Sequence, residues 1–251
     1  MKWYEKYLSV YGKPYADVSA EVMDGIRNRL RTLQSDEPLV SVVVIAYNEE
    51  KHLPACLWSL SESVCEYPME IIGVNNDSAD RTADVFEASG IPYHTELQHS
   101  CGYARRCGLQ YAQGKYYICI DSDTMYPPGY VQAMTDALQR PGIVAVSSLW
   151  SYMPDEGHPW LGLKIYEFMR DTHLWMQSFK RPELSVRGLV FAYNADYGRK
   201  VGYRVDIIRG EDGSMALGLK QYGRIGFVRS RKARAVTGYG TVGADGSFLN
   251  S

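Results

Sequence analysis

Apolar runs alternate with amphipathic stretches from residue 38 to residue 149. Residues 39–46 form a near-continuous run rich in β-branched residues, which is typical of a buried strand in a parallel sheet. The same reasoning predicts further strands at 70–75, 92–97 and 116–121, with helices between them that end near residues 63, 89 and 112. Repeated strand, polar loop and helix predict a right-handed series of parallel strands. The polar loops after these strands should therefore share one edge of the sheet.

The pattern changes in the second half of the chain. A helix beginning at Pro127 and Pro128, and a strand at 143–149, precede a long amphipathic helix over 158–179. One stripe of that helix is apolar, and we interpret it as core packing rather than as a lipid-facing or acceptor-facing surface. The stripe consists of Leu161, Ile165, Phe168, Trp175 and Phe179.

The last third of the chain is less regular. Residues 186–208 fit no single element, and a helix is predicted to begin at residues 209–212. In that helix Asp212, Met215 and Leu219 follow at i, i+3 and i+7, which turns Asp212 toward the apolar face. Closing strands are predicted at 225–228 and 233–237, and the glycine-rich end after Gly238 is expected to be mobile.

The N-terminal residues 1–36 show helical spacing of apolar side chains among charges, with Gly12 and Pro14 between two such stretches. We interpret residues 1–37 as a helical extension docked on the main domain. Its cluster of arginines at 27, 29 and 31 is interpreted as a solvated helical face, although contact with a partner or a membrane surface is the alternative.

Length and composition restrict the class of protein. A chain of 251 residues fits one domain of the larger α/β kind, and a net charge of −2 gives no reason to expect nucleic acid as a partner. The five cysteines are odd in number, form no Cys-x-x-Cys pair and follow no signal peptide, so a reducing, cytoplasmic location is expected. No apolar run approaches the roughly 18 residues of a membrane-spanning helix.

Two carboxylates end the strand at 116–121, where Tyr-Tyr-Ile-Cys-Ile is followed by Asp121, Ser122 and Asp123. Ligands of open α/β sheets bind just beyond the carboxyl ends of the strands. Mg²⁺ and Mn²⁺ prefer oxygen ligands, and Mg²⁺ is usually held by one or two protein carboxylates together with water and substrate phosphates. The sequence therefore indicates a divalent metal site here, while a solvated turn capped by aspartate is the alternative.

Four ordered motifs together resemble those of family-2 glycosyltransferases of the GT-A fold. The motifs are Val-Val-Ile-Ala-Tyr-Asn-Glu-Glu at 43–50, Asn-Asn-Asp-Ser-Ala-Asp-Arg-Thr at 75–82, the stretch from Gly108 to Asp123, and Gly-Glu-Asp at 210–212. The resemblance covers roughly residues 38–230. It implies an α/β fold with a mostly parallel, twisted sheet flanked by helices. A domain at 38–251 would then contain a nucleotide-binding half at 38–124 and an acceptor half at 125–251.

The resemblance also implies roles for individual residues. The positions that match the nucleotide-sugar site of the family are Ala46, Tyr47, Glu49, Asn76, Arg105, Asp121 and Ser122. Ala46, Tyr47, Glu49 and Asn76 would hold the base and ribose, and Arg105 would lie near the phosphates. Asp123 would bind the Mn²⁺ or Mg²⁺ ion that bridges the diphosphate, and Asp121 would contact the ribose or that metal, directly or through a bound water. Asp212 would be the general base, and Glu211 would neighbour it at the acceptor site.

The implied reaction is an inverting transfer of a sugar from a nucleotide diphosphate to an acceptor hydroxyl. Uracil is the favoured base, but Asn76 stands where the family commonly has aspartate, so guanine or another base stays open. The acceptor is a glycan or a lipid-linked molecule, and the sequence does not choose between them. Peripheral contact with the inner face of a membrane is compatible with both.

Two other functions stay open at this point. The stretch Ile-Cys-Ile-Asp-Ser-Asp-Thr at 118–124 is also similar to haloacid-dehalogenase-like phosphatases, in which Asp121 would be the nucleophile. That alternative does not explain the loops at 46–50 and 75–82. A non-catalytic module that binds a nucleotide sugar is the third interpretation, and in such a module Asp212 would be dispensable.

Overall fold

The computed structural model describes residues 2–155, 157–207 and 209–238, so the expectation of a mobile end after Gly238 concerns residues outside this description. The first half contains 3₁₀ turns at Glu5–Ser9 and Tyr15–Asp17, then α1 (Ala20–Leu33), β1 (Val40–Ala46), α2 (Leu53–Ser61), β2 (Met69–Asn75), α3 (Thr82–Ser89), β3 (Tyr93–Thr95), α4 (Cys101–Tyr111) and β4 (Tyr116–Asp121). The predicted order of strands and helices is confirmed over this region.

The second half departs further from the prediction. It contains β5 (Thr124–Met125), α5 (Tyr130–Leu138), β6 (Ile143–Ser148), β7 (Trp150–Tyr152), α6 (Trp160–Lys180), 3₁₀ turns at Pro182–Ser185 and Gly188–Val190, β8 (Phe191–Asn194), α7 (Ala195–Val201), α8 (Glu211–Leu219), β9 (Arg224–Val228), a 3₁₀ turn at Arg231–Ala233 and β10 (Ala235–Thr237). The unassigned stretch at 186–208 thus holds a strand and a helix. The short strand β5, which has only two residues, was not predicted.

The main sheet has seven strands in the order β3-β2-β1-β4-β8-β6-β9. Strands β3, β2, β1 and β4 are parallel, and only β8 runs antiparallel to its neighbours β4 and β6. A smaller sheet has the order β5-β10-β7. The carboxyl ends of β1, β2 and β4 therefore meet at one edge, as the sequence predicts.

Strand β1 is buried along its whole length because helices cover both faces of the sheet. Val42 and Val44 pack in the cluster that includes α1, α2, α3 and α5. Val43 and Ile45 point to the opposite face and join the cluster that includes α4, α7 and α8. The alternation of side chains along a strand thus connects both layers to the strand that ends at the candidate site.

Of the two helical stretches expected within residues 1–36, the second forms α1, and the first is only a short 3₁₀ turn. Gly12 adopts a φ of 75°, and Pro14 lacks the N–H that a continued helix would need, so the chain forms short 3₁₀ turns instead. Tyr7 and Val10 are nevertheless buried in a third apolar cluster, together with Ala55, Met125 and Val236. The division into an extension and a main domain stays a prediction.

The prediction that the apolar stripe of α6 packs into the core is wrong. All five side chains of the stripe are exposed: Leu161, Ile165, Phe168, Trp175 and Phe179. The opposite side of α6 faces the body of the protein and carries the buried Leu163, Glu167 and Leu174. Buried polar contacts hold that side inward, which leaves the apolar stripe toward solvent.

The orientation predicted for α8 is confirmed, because Asp212, Met215 and Leu219 are all buried. Within the described ranges, which omit residues 1, 156, 208 and 239–251, no helix is long and apolar enough to cross a membrane.

Candidate active site

The loops after β1 and β2 are joined by hydrogen bonds at the edge of the sheet. Asn48 N–H donates to Ser78 Oγ at 2.9 Å, Ala79 N–H donates to Asn48 Oδ1 at 2.8 Å, and Glu49 N–H donates to Thr82 Oγ1 at 2.8 Å. Asn48 and Asp77 each adopt a φ of 54°, the left-handed region that asparagine and aspartate tolerate better than most residues. The two nucleotide-type motifs thus form one rigid rim.

The rim presents an exposed aromatic side chain. Tyr47 is exposed and contacts the His99 ring edge-on at 5.1 Å between centroids, while Ala46 beneath it is buried. His99 in turn lies 3.4 Å from Asp77. Planar groups on a nucleotide stack on such surfaces. Sequence reasoning missed both residues as site candidates. Asp77 lies within the motif at 75–82 but was given no role, and His99 lies outside all four motifs.

Asn76 is buried and its amide is engaged within the protein. Its Nδ2 donates to the carbonyls of Glu96 and Gln98, both at 2.8 Å, and its Oδ1 accepts from Ser100 N–H at 3.1 Å. Ser100 caps the N-terminus of α4. The side chain therefore ties β2 to the start of α4, and the base-binding role that the resemblance implies for Asn76 stays a prediction.

The two aspartates after β4 have different surroundings. Asp121 Oδ1 accepts from Arg105 Nη2 at 2.7 Å. Asp123 is half-buried, its Oδ1 accepts from Thr124 Oγ1 at 2.9 Å, and its backbone carbonyl accepts from Tyr11 Oη at 2.8 Å. Ser122 between them is buried. The N-terminal segment thus reaches the metal-type motif directly.

Arg105 links the two acidic motifs. Its side chain is only 2% exposed, and its Nε lies 3.0 Å from Asp212 Oδ1 while its Nη2 bonds to Asp121. The contact with Asp212 is an ion pair without hydrogen-bond geometry, so Arg105 Nε, Arg105 Nη1 and Asp212 Oδ1 are buried with no hydrogen-bond partner among the described residues. Buried polar atoms of this kind mark a site that a ligand or water can complete.

A glycine packs on this pair of charges. An added Cβ at Gly188 would lie 2.1 Å from Arg105 Nη2 and 2.3 Å from Asp212 Oδ2. Both distances are far below van der Waals contact, so a larger residue would displace the pair. Gly188 is a site residue that sequence reasoning missed, because nothing in the local pattern of residues 186–208 indicates what it touches.

Asp212 and Glu211 begin α8 and are both buried. The preceding Gly210 has a φ of 89°, which allows the sharp entry into the helix. Burial raises the pKa of Asp212 to about 7, opposed by the positive charge of Arg105 and reinforced by Glu211 and Asp121. A carboxylate with a pKa near neutrality is suited to accept a proton.

Negative charge accumulates around Asp123. Burial, together with the neighbouring charges of Asp121 and Glu49, raises the pKa of Asp123 to about 6. Glu49 also contacts His52 Nδ1 at 2.7 Å, and this hydrogen bond raises the pKa of His52. Like charges held close together favour a bound cation.

The donor set is compatible with Mn²⁺ or Mg²⁺. In the part of the chain described here, no group of three or more His, Cys, Asp or Glu side chains is arranged as a metal cage. Asp121 and Asp123 supply two carboxylates, and Mg²⁺ usually takes one or two from protein when phosphates complete its shell. The residues present therefore fit a metal shared with a diphosphate.

These features form a cluster of acidic, cationic and aromatic side chains at the carboxyl edge of a mostly parallel sheet, where open α/β sheets bind their ligands. The family model described as Glycosyl transferase family 2 matches residues 41–198, more than half of the chain. This chain belongs to glycosyl transferase family 2. Membership of this family confirms the resemblance seen in the motifs and replaces the phosphatase interpretation.

Individual relatives agree with this assignment. Glycosyltransferase GlyA of Streptococcus pneumoniae serotype 4 is 27% identical over 187 residues, which are 69% of this chain and 27% of GlyA. This chain spans between 27% and 33% of the length of the first curated relatives that it matches.

Solved structures confirm the GT-A fold. Glucosyl-3-phosphoglycerate synthase from Mycobacterium tuberculosis, in complex with Mn²⁺, UDP-glucose and phosphoglyceric acid, has a TM-score of 0.57 at 21% identity, over 82% of this chain and 73% of that one. Mannosyltransferase PcManGT from Pyrobaculum calidifontis, in complex with GDP-mannose and Mn²⁺, has a TM-score of 0.59 at 16% identity, over 94% and 68%. Identities this low establish the fold and no more.

Proposed function

We propose that this glycosyltransferase moves a sugar from a nucleotide diphosphate, with UDP as the favoured nucleotide, to an acceptor hydroxyl with inversion at the anomeric carbon. One observation carries the proposal. The buried guanidinium of Arg105 contacts both the base candidate Asp212, through Nε, and Asp121 of the metal-type motif, through Nη2. A shared contact of this kind supports a proton acceptor that is held in place near the expected diphosphate position.

Asp212 is proposed as the general base. Its carboxylate is buried but retains a small accessible area, and its pKa of about 7 leaves much of it ionised at neutral pH. The acceptor oxygen attacks the anomeric carbon as its proton passes to Asp212, and the bond from that carbon to the diphosphate oxygen breaks on the opposite face. One displacement inverts the configuration, so no covalent intermediate on the protein is required. Glu211 lies beside Asp212 and is proposed to face the acceptor.

The diphosphate leaves with increased negative charge, which the site must stabilise. A divalent cation bound at Asp121 and Asp123 would supply that stabilisation. Arg187 is exposed and contributes positive charge near Asp212. We propose Arg187 as a cation that can reach an anionic group of donor or acceptor, whereas Arg105 is engaged by its two carboxylates and positions them.

The rim of the sheet is proposed to hold the nucleoside. Tyr47 offers an exposed ring for the base, and Ala46, Glu49 and Ser122 lie at the strand ends beside it. Two solved structures of similar fold contain UDP-glucose and GDP-mannose respectively, so the fold does not distinguish uracil from guanine. The unpaired state of the five cysteines supports the proposed cytoplasmic location.

Calorimetric titration with UDP and with GDP, each with Mn²⁺ and with the metal chelated, tests the proposal. We expect Mn²⁺-dependent binding of UDP and weaker binding of GDP. Stronger binding of GDP would replace uracil by guanine as the proposed nucleobase, and the donor would still be a nucleotide sugar. Failure of a folded sample to bind either nucleotide in the presence of metal would contradict the proposed donor.

Two variants separate binding from transfer. Asp123→Ala is expected to lose Mn²⁺-dependent donor binding, because it removes a metal carboxylate. Asp212→Asn is expected to bind the donor as the unaltered protein does and to lose transfer by about 10²–10⁴-fold, the usual contribution of a general base. Donor binding is measured by calorimetry, and transfer by release of UDP from a panel of UDP-sugars and acceptors. Undiminished turnover in either variant contradicts the role assigned to that residue.

A further inference from the structure

One side of α6 is an uncovered apolar surface, which we call the outer face. It consists of Leu161, Ile165, Phe168, Met169, Met176 and Phe179. Phe168 is 73% exposed, Phe179 is 69% exposed and Leu161 is 63% exposed. The spacing of these residues places them on one side of a helix of 21 residues, with Trp160 and Trp175 exposed beside them. Contiguous apolar patches of this kind mark an interaction site in a folded protein.

The opposite side of α6 is fixed to the protein by polar contacts. Glu167 is buried and accepts hydrogen bonds from Tyr152 N–H at 2.8 Å and from Ser151 Oγ at 3.1 Å. The Arg170 guanidinium lies 4.1 Å from the centroid of the Trp150 ring. Rotating the helix to bury the outer face would break these contacts and leave the Tyr152 N–H and the Ser151 hydroxyl without their acceptor. The exposure is therefore built into the packing of α6.

Further ion pairs hold the same side. Asp171 pairs with both Arg170 and Arg234, and Glu167 also pairs with Lys164 at 2.8 Å. Glu183, just after the helix, pairs with Lys220 at 2.9 Å. The acidic side chains between residues 160 and 185 are Glu167, Asp171 and Glu183. Since all three are largely buried and paired with cations, they add little negative charge to the outer face.

The exposed charges around the outer face are basic. Lys180 is exposed at the end of the helix, and Arg229 lies over the Trp175 ring at 5.2 Å. Lys164 and Arg181 are also exposed but pair with Glu167 and Glu183, so they add less charge to the rim. An apolar helical face rimmed by lysine and arginine, with tryptophan at its margin, matches the way interfacial helices bind anionic lipid surfaces. The basic side chains meet the headgroups while the apolar face enters the boundary with the acyl chains.

A second copy of the chain fits this surface less well. A two-fold dimer pairs the same patch with itself, so the basic rim of one copy would face the basic rim of the other. The three neighbouring acids are already paired within the protein and offer no partner across such an interface. Charge complementarity thus favours an anionic surface over self-association.

We infer that the outer face of α6 binds the surface of an anionic lipid bilayer, with the helix lying in the plane of the membrane. A helix of 21 residues extends roughly 30 Å, which provides a long contact parallel to the surface. The inference does not depend on the proposed sugar-transfer reaction, because it concerns a surface that carries no proposed site residue.

Co-sedimentation of the unaltered 251-residue chain with lipid vesicles tests the inference. Vesicles of equal parts phosphatidylglycerol and phosphatidylcholine should retain the unaltered protein, and phosphatidylcholine vesicles should retain much less. The double variant Ile165→Gln, Phe168→Gln should bind the anionic vesicles at least about tenfold more weakly, since it removes two large apolar contacts. Lys180→Glu should weaken anionic binding and leave the weak binding to phosphatidylcholine unchanged.

Val64→Gln is the matched control, because Val64 is an equally exposed apolar residue that lies outside α6. It should bind vesicles as the unaltered protein does, and thermal unfolding should show that all variants fold. Failure of the unaltered protein to sediment with anionic vesicles would overturn the inference, as would undiminished binding by the double variant. Sedimentation velocity without lipid supplies a further criterion. A dimer that the double variant converts to monomer would assign the face to a second copy and also overturn the inference.

Discussion

At the scale of single residues, the candidate site is organised by a buried arginine rather than by its acids alone. Arg105 contacts Asp121 and Asp212, and Gly188 packs against the guanidinium and the Asp212 carboxylate. Removing one member of such a group would leave a buried charge without compensation. Small changes here should therefore alter chemistry as well as stability.

Gly188→Ala is expected to reduce transfer by about 100-fold, because the new methyl group must displace Arg105 or Asp212 from its position. We also expect a loss of about 1–3 kcal/mol in the free energy of unfolding, as is usual for an overpacked site. Steady-state kinetics and urea unfolding measure the two effects.

Gly162→Ala is the control for that substitution. Gly162 lies in α6 with no atom near the place of an added Cβ, so alanine should leave transfer unchanged and leave stability equal or slightly higher. Full activity in Gly188→Ala would contradict the close packing described for the pair.

The raised pKa of Asp212 predicts an acid limb in the pH profile. Below pH 7 its carboxylate becomes protonated and can no longer accept a proton, so kcat should fall about tenfold per pH unit once the pH is well below 7. The measurement uses saturating donor and Mn²⁺, so that protonation of Asp123, whose pKa is about 6, does not limit metal binding. A chemistry-limited kcat that stays constant from pH 5 to pH 8 would exclude Asp212 as the titrating base.

At the scale of elements, the N-terminal segment is part of the site. The Tyr11 hydroxyl donates to the carbonyl of Asp123, and Gly12 N–H donates to the carbonyl of Lys51 at 2.8 Å. Thr237 in β10 also reaches the Asp123 carbonyl, at 3.5 Å. Elements from both ends of the chain therefore hold the loop that carries the metal-type motif.

Tyr11→Phe is expected to weaken Mn²⁺-dependent donor binding about fivefold, because the loss of one hydrogen bond of about 1 kcal/mol loosens the loop at Asp123. Tyr7→Phe is the matched control, since the Tyr7 hydroxyl donates to Glu62 at 2.8 Å and does not touch this loop. Calorimetry and thermal unfolding measure both variants. Equal donor affinity in Tyr11→Phe and Tyr7→Phe would limit the N-terminal segment to a purely stabilising role.

At the scale of the whole molecule, the site joins residues from widely separated parts of the chain. The rim comes from β1 and β2, the metal-type motif follows β4, and Asp212 begins α8, which is near the end of the described residues. A ligand that contacts all of these elements stabilises the folded state as a unit.

UDP with Mn²⁺ is therefore expected to stabilise the protein against heat. At a ligand concentration of 100 times Kd the gain is about 2.7 kcal/mol, which corresponds to a rise in Tm of roughly 5–10 °C for a chain of this size. Differential scanning calorimetry measures the shift, and a chelator should abolish it. The same shift in Asp123→Ala would contradict the assignment of Asp123 to the metal site.

The sequence by itself determined the order of elements that builds the parallel sheet, and the place of the acidic motifs at its edge. The β-branched run of β1 and the inward turn of Asp212 follow from local side-chain periodicity, which depends only on neighbouring residues. The family motifs were recognisable for the same reason. Local patterns therefore predicted the fold class and the candidate acids.

Tertiary structure alone decided which faces are covered and which side chains pair. Periodicity shows that one side of α6 is apolar, but whether another element covers that side depends on the rest of the fold. In this protein Glu167 bonds to Ser151 and Tyr152 of β7 and Asp171 pairs with Arg234, which keeps that side of α6 inward and leaves the apolar side exposed. The positions of Arg105 and Asn76 are likewise set by partners far away in the chain, and such partners have no signature in the local sequence.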